Sequence, residues 1–179
     1  MNLGDAIALI RDAVPDPGGR WADLGAGDGT FTRALATLLG PSATIYAVDQ
    51  DARAVAALKR LAAKARARVV PMAADFTELL ELPGLGGEGL DGLLLANALH
   101  FVRDAEVILA RLVRLLRPGG RVVLVEYDRR VASRWVPYPI WVDRLPSLAA
   151  AAGLSTPVVV ATRPSAFGGV LYAAAAERR

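Results

Sequence analysis

The sequence predicts an α/β fold, a doubly wound and mainly parallel sheet with helices on both faces. Three observations indicate it. Short apolar runs alternate with segments of helical periodicity along the 179 residues, a glycine-rich turn follows the first apolar run, and the apolar run from Asp91 to Ala96 is uninterrupted. Such a strand is expected where helices cover both faces of a sheet.

The first half is expected to begin with a helix. Apolar residues at helical spacing predict a short N-terminal helix and linker over residues 1–19, with a break from Pro15 to Gly19. Strands and helices then alternate, and Asp51 caps the second helix of this alternation. The predicted elements are a strand at 20–24, a helix at 30–39, a strand at 43–48, a helix at 51–67 and a strand at 68–72.

The second half continues the alternation and ends in two strands. Pro118-Gly119-Gly120 is expected to end one helix and Gly153 another. The predicted elements are a strand at 91–96, a helix at 104–117, a strand at 121–127, a helix at 142–152 and strands at 157–162 and 168–175.

Composition excludes several classes of protein. Hydrophobic residues make up 54% of the chain, which excludes disorder for most of it, and the length suits one domain, residues 1–179. The absence of cysteine excludes a disulfide framework, a thiol nucleophile and a thiolate zinc site, and no metal site is predicted. No stretch of about 18 uncharged apolar residues occurs, and the N-terminal segment lacks the features of a secretory signal. A cytoplasmic protein without a membrane partner is expected.

A glycine-rich turn marks the expected ligand site, because ligands of doubly wound sheets bind at the carboxyl ends of the strands. In Asp23-Leu24-Gly25-Ala26-Gly27-Asp28-Gly29 the glycines permit positive φ and close approach of the backbone to a ligand. About 20 residues later Asp49 ends the second strand, where a carboxylate accepts hydrogen bonds from ribose hydroxyls. A nucleoside-containing ligand is predicted.

The turn lacks the dinucleotide spacing G-x-G-x-x-G/A, since Thr30 occupies the third small position. Its form resembles that of the class I S-adenosylmethionine-dependent methyltransferases, in particular small single-domain members of types 11 and 12. Four further segments carry the resemblance in order, and they are Val48-Asp49, Ala74-Asp75-Phe76, Ala96-Asn97-Ala98-Leu99-His100 and Leu116-Arg117-Pro118-Gly119-Gly120. The resemblance implies a Rossmann-like sheet of seven strands in the order 3-2-1-4-5-7-6, with strand 7 antiparallel.

The resemblance also implies a cofactor, S-adenosylmethionine, and the residues that bind it. Asp23, the turn and Asn97 would hold the methionine end, Asp49 the ribose and Asp75 the adenine amino group. The implied cofactor-binding residues are Asp23, Gly25, Ala26, Gly27, Asp49, Gln50, Ala74, Asp75, Phe76 and Asn97. Other roles stay open for three residues of this region: Asp28 as a helix N-cap rather than a ligand, Asn97 as a strand-end residue and Phe76 as core.

The acceptor side is expected in the segment from Asp128 to Trp141, a substrate lid that contains Trp135, Tyr138 and Trp141. Aromatic side chains of this kind bind a methyl acceptor or a sulfonium, and the alternative is that they pack onto the sheet. The candidate bases are His100, the sole histidine, and Glu126, Tyr127 and Asp128 at the end of the fifth strand. Methyl transfer by proximity and alignment alone, without a general base, is a further alternative.

The function implied is methyl transfer to a small-molecule acceptor with release of S-adenosylhomocysteine, by a monomer or homodimer. Three alternatives are an RNA methyltransferase, an NAD-dependent Rossmann oxidoreductase and a protein that binds the cofactor without catalysis. The basic residues between Arg53 and Arg68 fall on one predicted amphipathic helix, so a solvated face is the preferred interpretation. Nucleic acid is therefore not the expected partner.

Overall fold

A computed structural model describes residues 1–14, 16–165 and 168–179, so Pro15 of the predicted linker lies outside the described residues. The helices are α1 (Leu3–Ile10), α2 (Thr30–Leu39), α3 (Ala52–Ala62), α4 (Ala105–Val113) and α5 (Leu145–Ala151). The strands are β1 (Arg20–Leu24), β2 (Thr44–Asp49), β3 (Arg68–Ala73), β4 (Leu90–Ala96), β5 (Leu116–Asp128), β6 (Val158–Pro164) and β7 (Val170–Glu177).

The seven strands form one sheet in the order β3-β2-β1-β4-β5-β7-β6, which confirms the predicted topology. Neighbouring strands from β3 to β5 pair in parallel, and β7 is antiparallel to both β5 and β6. The strands after β1 are therefore added first on one side of it, as β2 and β3, and then on the other side, beginning with β4. The switch between β1 and β4 is the point at which a doubly wound sheet opens a crevice for a ligand.

Helices cover both faces of the sheet, as predicted. Successive strand residues point to opposite sides, so in β4 Leu94 packs with α1 and α2 while Leu93 and Leu95 pack with α4 and α5. Leu58 of α3 packs on Val69 and Ala47, on the side of α1 and α2. Among the residues that the structure describes, no helix has the length and apolar character needed to cross a bilayer.

Local capping determines where two of the helices start. Asp51 accepts a hydrogen bond from the backbone N–H of Arg53 at 2.8 Å, which confirms the predicted cap of α3. Asp28 accepts one from the backbone N–H of Thr30 at 3.1 Å and so assists the start of α2. Gly29 is the N-cap residue of α2, so Asp28 assists from the preceding position and the alternative that Asp28 is itself the N-cap is wrong.

Two helices are shorter than predicted, because the residues at their predicted C-terminal ends form a turn or a strand instead. The predicted helix 51–67 ends at Ala62, and its last residues form the turn that brings Arg68 beside Thr44 of β2. The predicted helix 104–117 ends at Val113. Leu116 pairs with Leu90 instead, so β5 begins five residues before its predicted start at Arg121.

The packing of Trp21 on Gly92 supports the centre of the sheet. The two residues are paired across β1 and β4, and a Cβ atom added to Gly92 would lie 2.4 Å from the Trp21 ring. Trp21 is itself buried. Only glycine, which has no Cβ atom, leaves room for the Trp21 ring at this position.

Gly92→Ala should therefore lower the free energy of unfolding by about 1–3 kcal/mol, the usual cost of forcing a methyl group into a packed core. Urea denaturation followed by circular dichroism measures this change. Gly87→Ala is the matched control, because the added Cβ atom has nothing within 4 Å. Equal stability of the two variants would mean that Trp21 moves aside freely.

Candidate active site

The glycine-rich turn after β1 is held against the end of β2 by three hydrogen bonds. The backbone N–H groups of Gly25 and Ala26 donate to the Val48 carbonyl at 2.9 and 3.0 Å. The N–H of Gly27 donates to Oδ2 of Asp49 at 2.8 Å. Asp49 therefore positions the turn in addition to facing the ligand space beside it.

Steric crowding explains the first glycine of the turn. Gly25 has φ +76°, and an added Cβ atom would lie 2.7 Å from Cβ of Ala98 in the loop after β4. Gly27 differs, because its Cβ position at φ +56° has nothing within 4 Å. The turn is thus closed toward β4 at Gly25 and open at Gly27.

Two buried oxygen atoms beside the turn have no hydrogen-bond partner among the described residues. They are Oδ1 of Asp23 and Oδ1 of Asn97. Asp23 is 1% exposed, and its other oxygen accepts a hydrogen bond from the Thr32 hydroxyl at 2.6 Å. Burial, with a smaller contribution from the charge of Asp49, raises the pKa of Asp23 to about 7 against the opposing effect of the Thr32 hydrogen bond.

Asn97 has an unusual backbone conformation for a residue other than glycine, with φ +54°. Its N–H donates to the Val125 carbonyl at 2.8 Å, so the strand end is satisfied by the backbone alone. The side-chain oxygen is left without a partner. A buried acceptor of this kind costs free energy unless a ligand donates to it.

Two cavities meet at Gly25 and Asn97. One, of about 380 Å³, lies over the ends of β2 and β3, and the other, of about 280 Å³, lies over the turn. The first is lined by Gly25, Asp49, Gln50, Ala74, Asp75, Phe76, Thr77, Asn97, Ala98, Phe101 and Val102. The second is lined by Met1, Asp23, Gly25, Ala26, Gly27, Asp28, Thr30, Phe31, Ala96 and Asn97.

His100, in the loop after β4, and Glu126, near the end of β5, form a buried pair. Nδ1 of His100 is 2.6 Å from Oε2 of Glu126, and the backbone N–H of His100 donates to Oε1 at 3.2 Å. The His100 side chain is 3% exposed and that of Glu126 is 0% exposed. Tyr127, the next residue of β5, has its ring centroid 6.2 Å from that of His100.

The segment from Asp128 to Trp141 is attached to this pair. The N–H of Tyr138 donates to the His100 carbonyl at 2.9 Å, and Nε1 of Trp141 donates to the Arg130 carbonyl at 3.0 Å. Asp128 accepts from the Val142 N–H at 3.1 Å. Trp135 is 62% exposed and lies under the guanidinium of Arg134.

The family model described as a methyltransferase domain matches residues 22–122. The chain belongs to the methyltransferase domain family. This finding confirms the resemblance to class I S-adenosylmethionine-dependent methyltransferases, whose cofactor is S-adenosylmethionine.

Three known proteins illustrate the relationship of this methyltransferase domain to others. A ubiquinone/menaquinone biosynthesis C-methyltransferase of Ectopseudomonas mendocina is 30% identical over 114 residues, 63% of this chain and 43% of that protein. The 1,6-didemethyltoxoflavin N1-methyltransferase of Burkholderia thailandensis, solved with 1,6-didemethyltoxoflavin and S-adenosylhomocysteine, has a TM-score of 0.73 at 26% identity, covering 98% of this chain and 77% of that one. The YcgJ protein of Bacillus subtilis shares the fold, with a TM-score of 0.76 at 13% identity, covering 98% and 99%. The chain spans about half or less of the length of the first curated relatives that it matches.

The methyltransferase domain brings every residue expected to bind the cofactor to the edge of the two cavities. The three aromatic residues expected to bind the acceptor line neither cavity, and their role stays a prediction. Sequence reasoning missed Thr32, Thr77, Phe101 and Val102. Thr32 lies in α2, nine residues after Asp23, and only the fold brings its hydroxyl to that acid. Thr77 lies two residues after Asp75, a local spacing that could have been read from the sequence, and Phe101 and Val102 extend the segment that ends at His100.

Asp23→Asn should raise the free energy of unfolding of the cofactor-free domain by about 2–4 kcal/mol at pH 7.5 and much less at pH 4.5. The raised pKa means that the folded state keeps a proton that the unfolded state loses, so wild-type stability falls as the pH rises from about 4 to about 7. The stability of Asp23→Asn should not fall in this way, because the asparagine side chain does not ionise. Urea denaturation at pH 4.5, 6.0 and 7.5 measures the difference.

Asp5→Asn is the contrasting control. Its hydrogen bond to Arg163 lowers the pKa of Asp5, so the wild-type contribution is present above the unfolded pKa and is lost as the pH falls. The stability difference between this variant and wild type should therefore stay nearly constant from pH 4.5 to pH 7.5, which lies above the unfolded pKa, in contrast to Asp23→Asn. Parallel pH curves for wild type and Asp23→Asn would show that Asp23 is ionised throughout.

Proposed function

We propose that the domain binds S-adenosylmethionine and transfers its methyl group to a small-molecule acceptor, releasing S-adenosylhomocysteine. The observation that carries the proposal is the pair of buried, unpartnered oxygens of Asp23 and Asn97 beside an open glycine turn. When bound, the cofactor supplies an electrophilic methyl group on a sulfonium. The residues of the chain bind and orient it.

The methionine end of the cofactor fits the smaller cavity. An ammonium group has three N–H donors and a positive charge, and the oxygens of Asp23 and Asn97 are buried acceptors that need donors. Asp23 would bind as a carboxylate, so the ammonium would favour loss of its proton. The open space at Gly27 leaves room for the methionine chain beside the turn.

The adenosine end fits the larger cavity. Asp49 already accepts from the N–H groups of Gly27 and Asp51, and each carboxylate oxygen keeps a lone pair for a ribose hydroxyl. Thr77 donates its N–H and its hydroxyl to Oδ1 of Asp75, which orients Oδ2 as the acceptor for the adenine amino group. Phe76 contributes an apolar wall.

The charge of the site favours this cofactor over NAD. Four acids lie on the rim of the cavities, namely Asp23, Asp28, Asp49 and Asp75. They attract a sulfonium and an ammonium and repel a pyrophosphate. Binding of S-adenosylhomocysteine without comparable binding of NAD, measured by titration calorimetry, tests the proposal, and the reverse preference would contradict it.

Gly27→Val should abolish binding of S-adenosylhomocysteine while the domain stays folded, because the branched side chain would enter the methionine cavity. Calorimetry measures binding, and circular dichroism measures folding. Gly40→Val is the matched control, since Gly40 also has positive φ and open space at its Cβ position but lies outside both cavities. Retained binding in Gly27→Val would show that the turn does not approach the ligand.

We propose further that the segment from Asp128 to Trp141 covers the acceptor. Its attachment to the His100 carbonyl through Tyr138 places it next to the end of β4, which supports this role. Exposed Trp and Val side chains in the segment, Trp135, Trp141 and Val131, offer apolar surface to a small organic acceptor.

Trp135→Ala should leave the affinity for S-adenosylhomocysteine within about threefold, or roughly 0.7 kcal/mol, and should lower turnover of an acceptor found by screening for S-adenosylhomocysteine release. Because Trp135 is mostly exposed, the melting temperature should change little. Val107→Ala, at an exposed apolar residue of α4, controls for loss of surface area. Unchanged turnover in Trp135→Ala would remove this residue from the acceptor site.

A further inference from the structure

A third cavity lies on the face of the sheet that α1, α2 and α3 cover, away from the two cavities of the candidate active site. Its volume is about 810 Å³, and it shares only Asp28 with the cavity over the glycine turn. Four cationic side chains line it, and we call it the basic groove. They are Arg33 of α2, Arg60 of α3, and Lys64 and Arg66 of the turn that follows α3.

Acidic side chains are scarce around the basic groove. Residues 30–68 contain seven lysines and arginines but only two acids, Asp49 and Asp51. Asp49 lines the larger cavity of the candidate active site and Asp51 caps α3, so neither lines the groove. Among the described residues Asp28 is the one acid that lines it, and its Oδ1 accepts from the N–H and the hydroxyl of Thr30. The groove therefore has a positive potential.

The four cations of the basic groove have no ionic partner in the part of the chain that the structure describes. Six arginines elsewhere do pair with an acid, for example Arg144 with Glu106 at 2.7 Å. Like charges gathered at one concave site repel one another, and an anionic partner would relieve this repulsion.

Tertiary structure brings these cations together. The sequence predicts that the basic residues from Arg53 to Arg68 fall on one amphipathic helix with a solvated face. However, α3 ends at Ala62, so Arg66 lies beyond it, and Arg33 belongs to α2. Charge from two helices and a turn converges on one groove, which a single solvated helix face does not produce.

Half-buried apolar residues line the groove between the cations, and they include Ala36, Ala57, Leu61 and Ala65. Among the described residues no aromatic side chain lines it, so the bases of a nucleic acid would have no surface on which to stack. A concave apolar lining also does not match the flat surface of lipid headgroups. It matches the apolar face of a helix, since small residues let two helices pack closely.

We propose that the basic groove is the docking site for an acidic amphipathic helix of a partner protein. The apolar face of that helix packs on Ala36, Ala57 and Leu61, and its glutamate and aspartate side chains face the four cations. Ion pairs of this kind steer the encounter and fix the orientation of the bound helix, while burial of apolar surface supplies affinity. This inference goes beyond the proposed methyl transfer and does not rest on it.

Binding of a designed helix tests the proposal. The probe is a fluorescein-labelled peptide of about five helical turns, with leucines on one face and glutamates on the others, and fluorescence anisotropy measures its affinity for the full chain. We expect a micromolar dissociation constant that rises about tenfold or more between about 0.05 M and about 0.3 M NaCl. A peptide of the same composition with its leucines spread around the helix should bind at least about tenfold more weakly.

Charge reversal tests the location of the site. Arg33→Glu combined with Arg60→Glu should weaken binding of the probe by about tenfold or more, since like charges would face the helix from both walls. Arg11→Glu combined with Arg114→Glu is the matched control. These two arginines are exposed, form no ion pair within the described residues and do not line the groove. The control has the same net charge, yet it should bind the probe within about threefold of wild type.

An uncharged variant tests the apolar lining. Ala57→Trp should weaken binding of the probe by about tenfold or more, because the indole ring occupies the space that the helix needs. Ala56→Trp is its control, since Ala56 is exposed on the same helix and does not line the groove. Circular dichroism checks that every variant is folded.

Failure of the probe to bind wild type, or equal losses in the groove variants and their controls, would overturn the proposal. So would tighter binding of a single-stranded uridine oligonucleotide, or of phosphatidylglycerol vesicles, that is lost when Arg33 and Arg60 are reversed in charge. The groove would then serve RNA or a membrane surface. Calorimetry with S-adenosylhomocysteine on the same samples keeps the two proposals apart, because absence of binding to wild type would refute only the proposed function.

Discussion

The hydrogen bonds between the glycine turn and the end of β2 are the constraint on which the site depends. Gly25 and Ala26 donate to Val48, and Gly27 donates to Asp49. These bonds direct the turn across the ends of the parallel strands, which leaves Asp23 beneath it and Asn97 beside it. The boundary between the two cavities follows from this path, since Gly25 and Asn97 line both.

Buried carboxyl groups are a second feature that shapes the site. Asp23 and Glu126 are both almost completely buried near the carboxyl ends of the central strands, and neither forms an ion pair with lysine or arginine among the described residues. A fold retains such groups at a cost in stability. At Asp23 the proposed compensation is the cationic end of the cofactor, and at Glu126 it is the imidazole of His100.

Sequence reasoning predicted the strand order, the antiparallel last pair and the capping of α3, because each depends on local patterns or on the resemblance to a family. It failed at the ends of α3 and α4. Helical periodicity continues through Leu115 and Leu116, yet the carbonyl of Leu115 accepts the N–H of Leu90 and Leu116 pairs with Leu90. Pairing with a strand about 25 residues away in sequence decided that boundary, and no local signal reports it.

The sequence by itself determined the fold class, the position of the glycine turn and the identity of the acids around it, since residues 23–29 and Asp49 carry their conformational and chemical preferences with them. The tertiary structure alone decided which polar atoms lack partners and which side chains pair. His100 and Glu126 are 26 residues apart in sequence, and they meet because β4 and β5 are neighbours whose carboxyl ends coincide. Burial of that pair depends on packing from β7 and from the segment after β5, and burial is a property of the assembled molecule rather than of either residue.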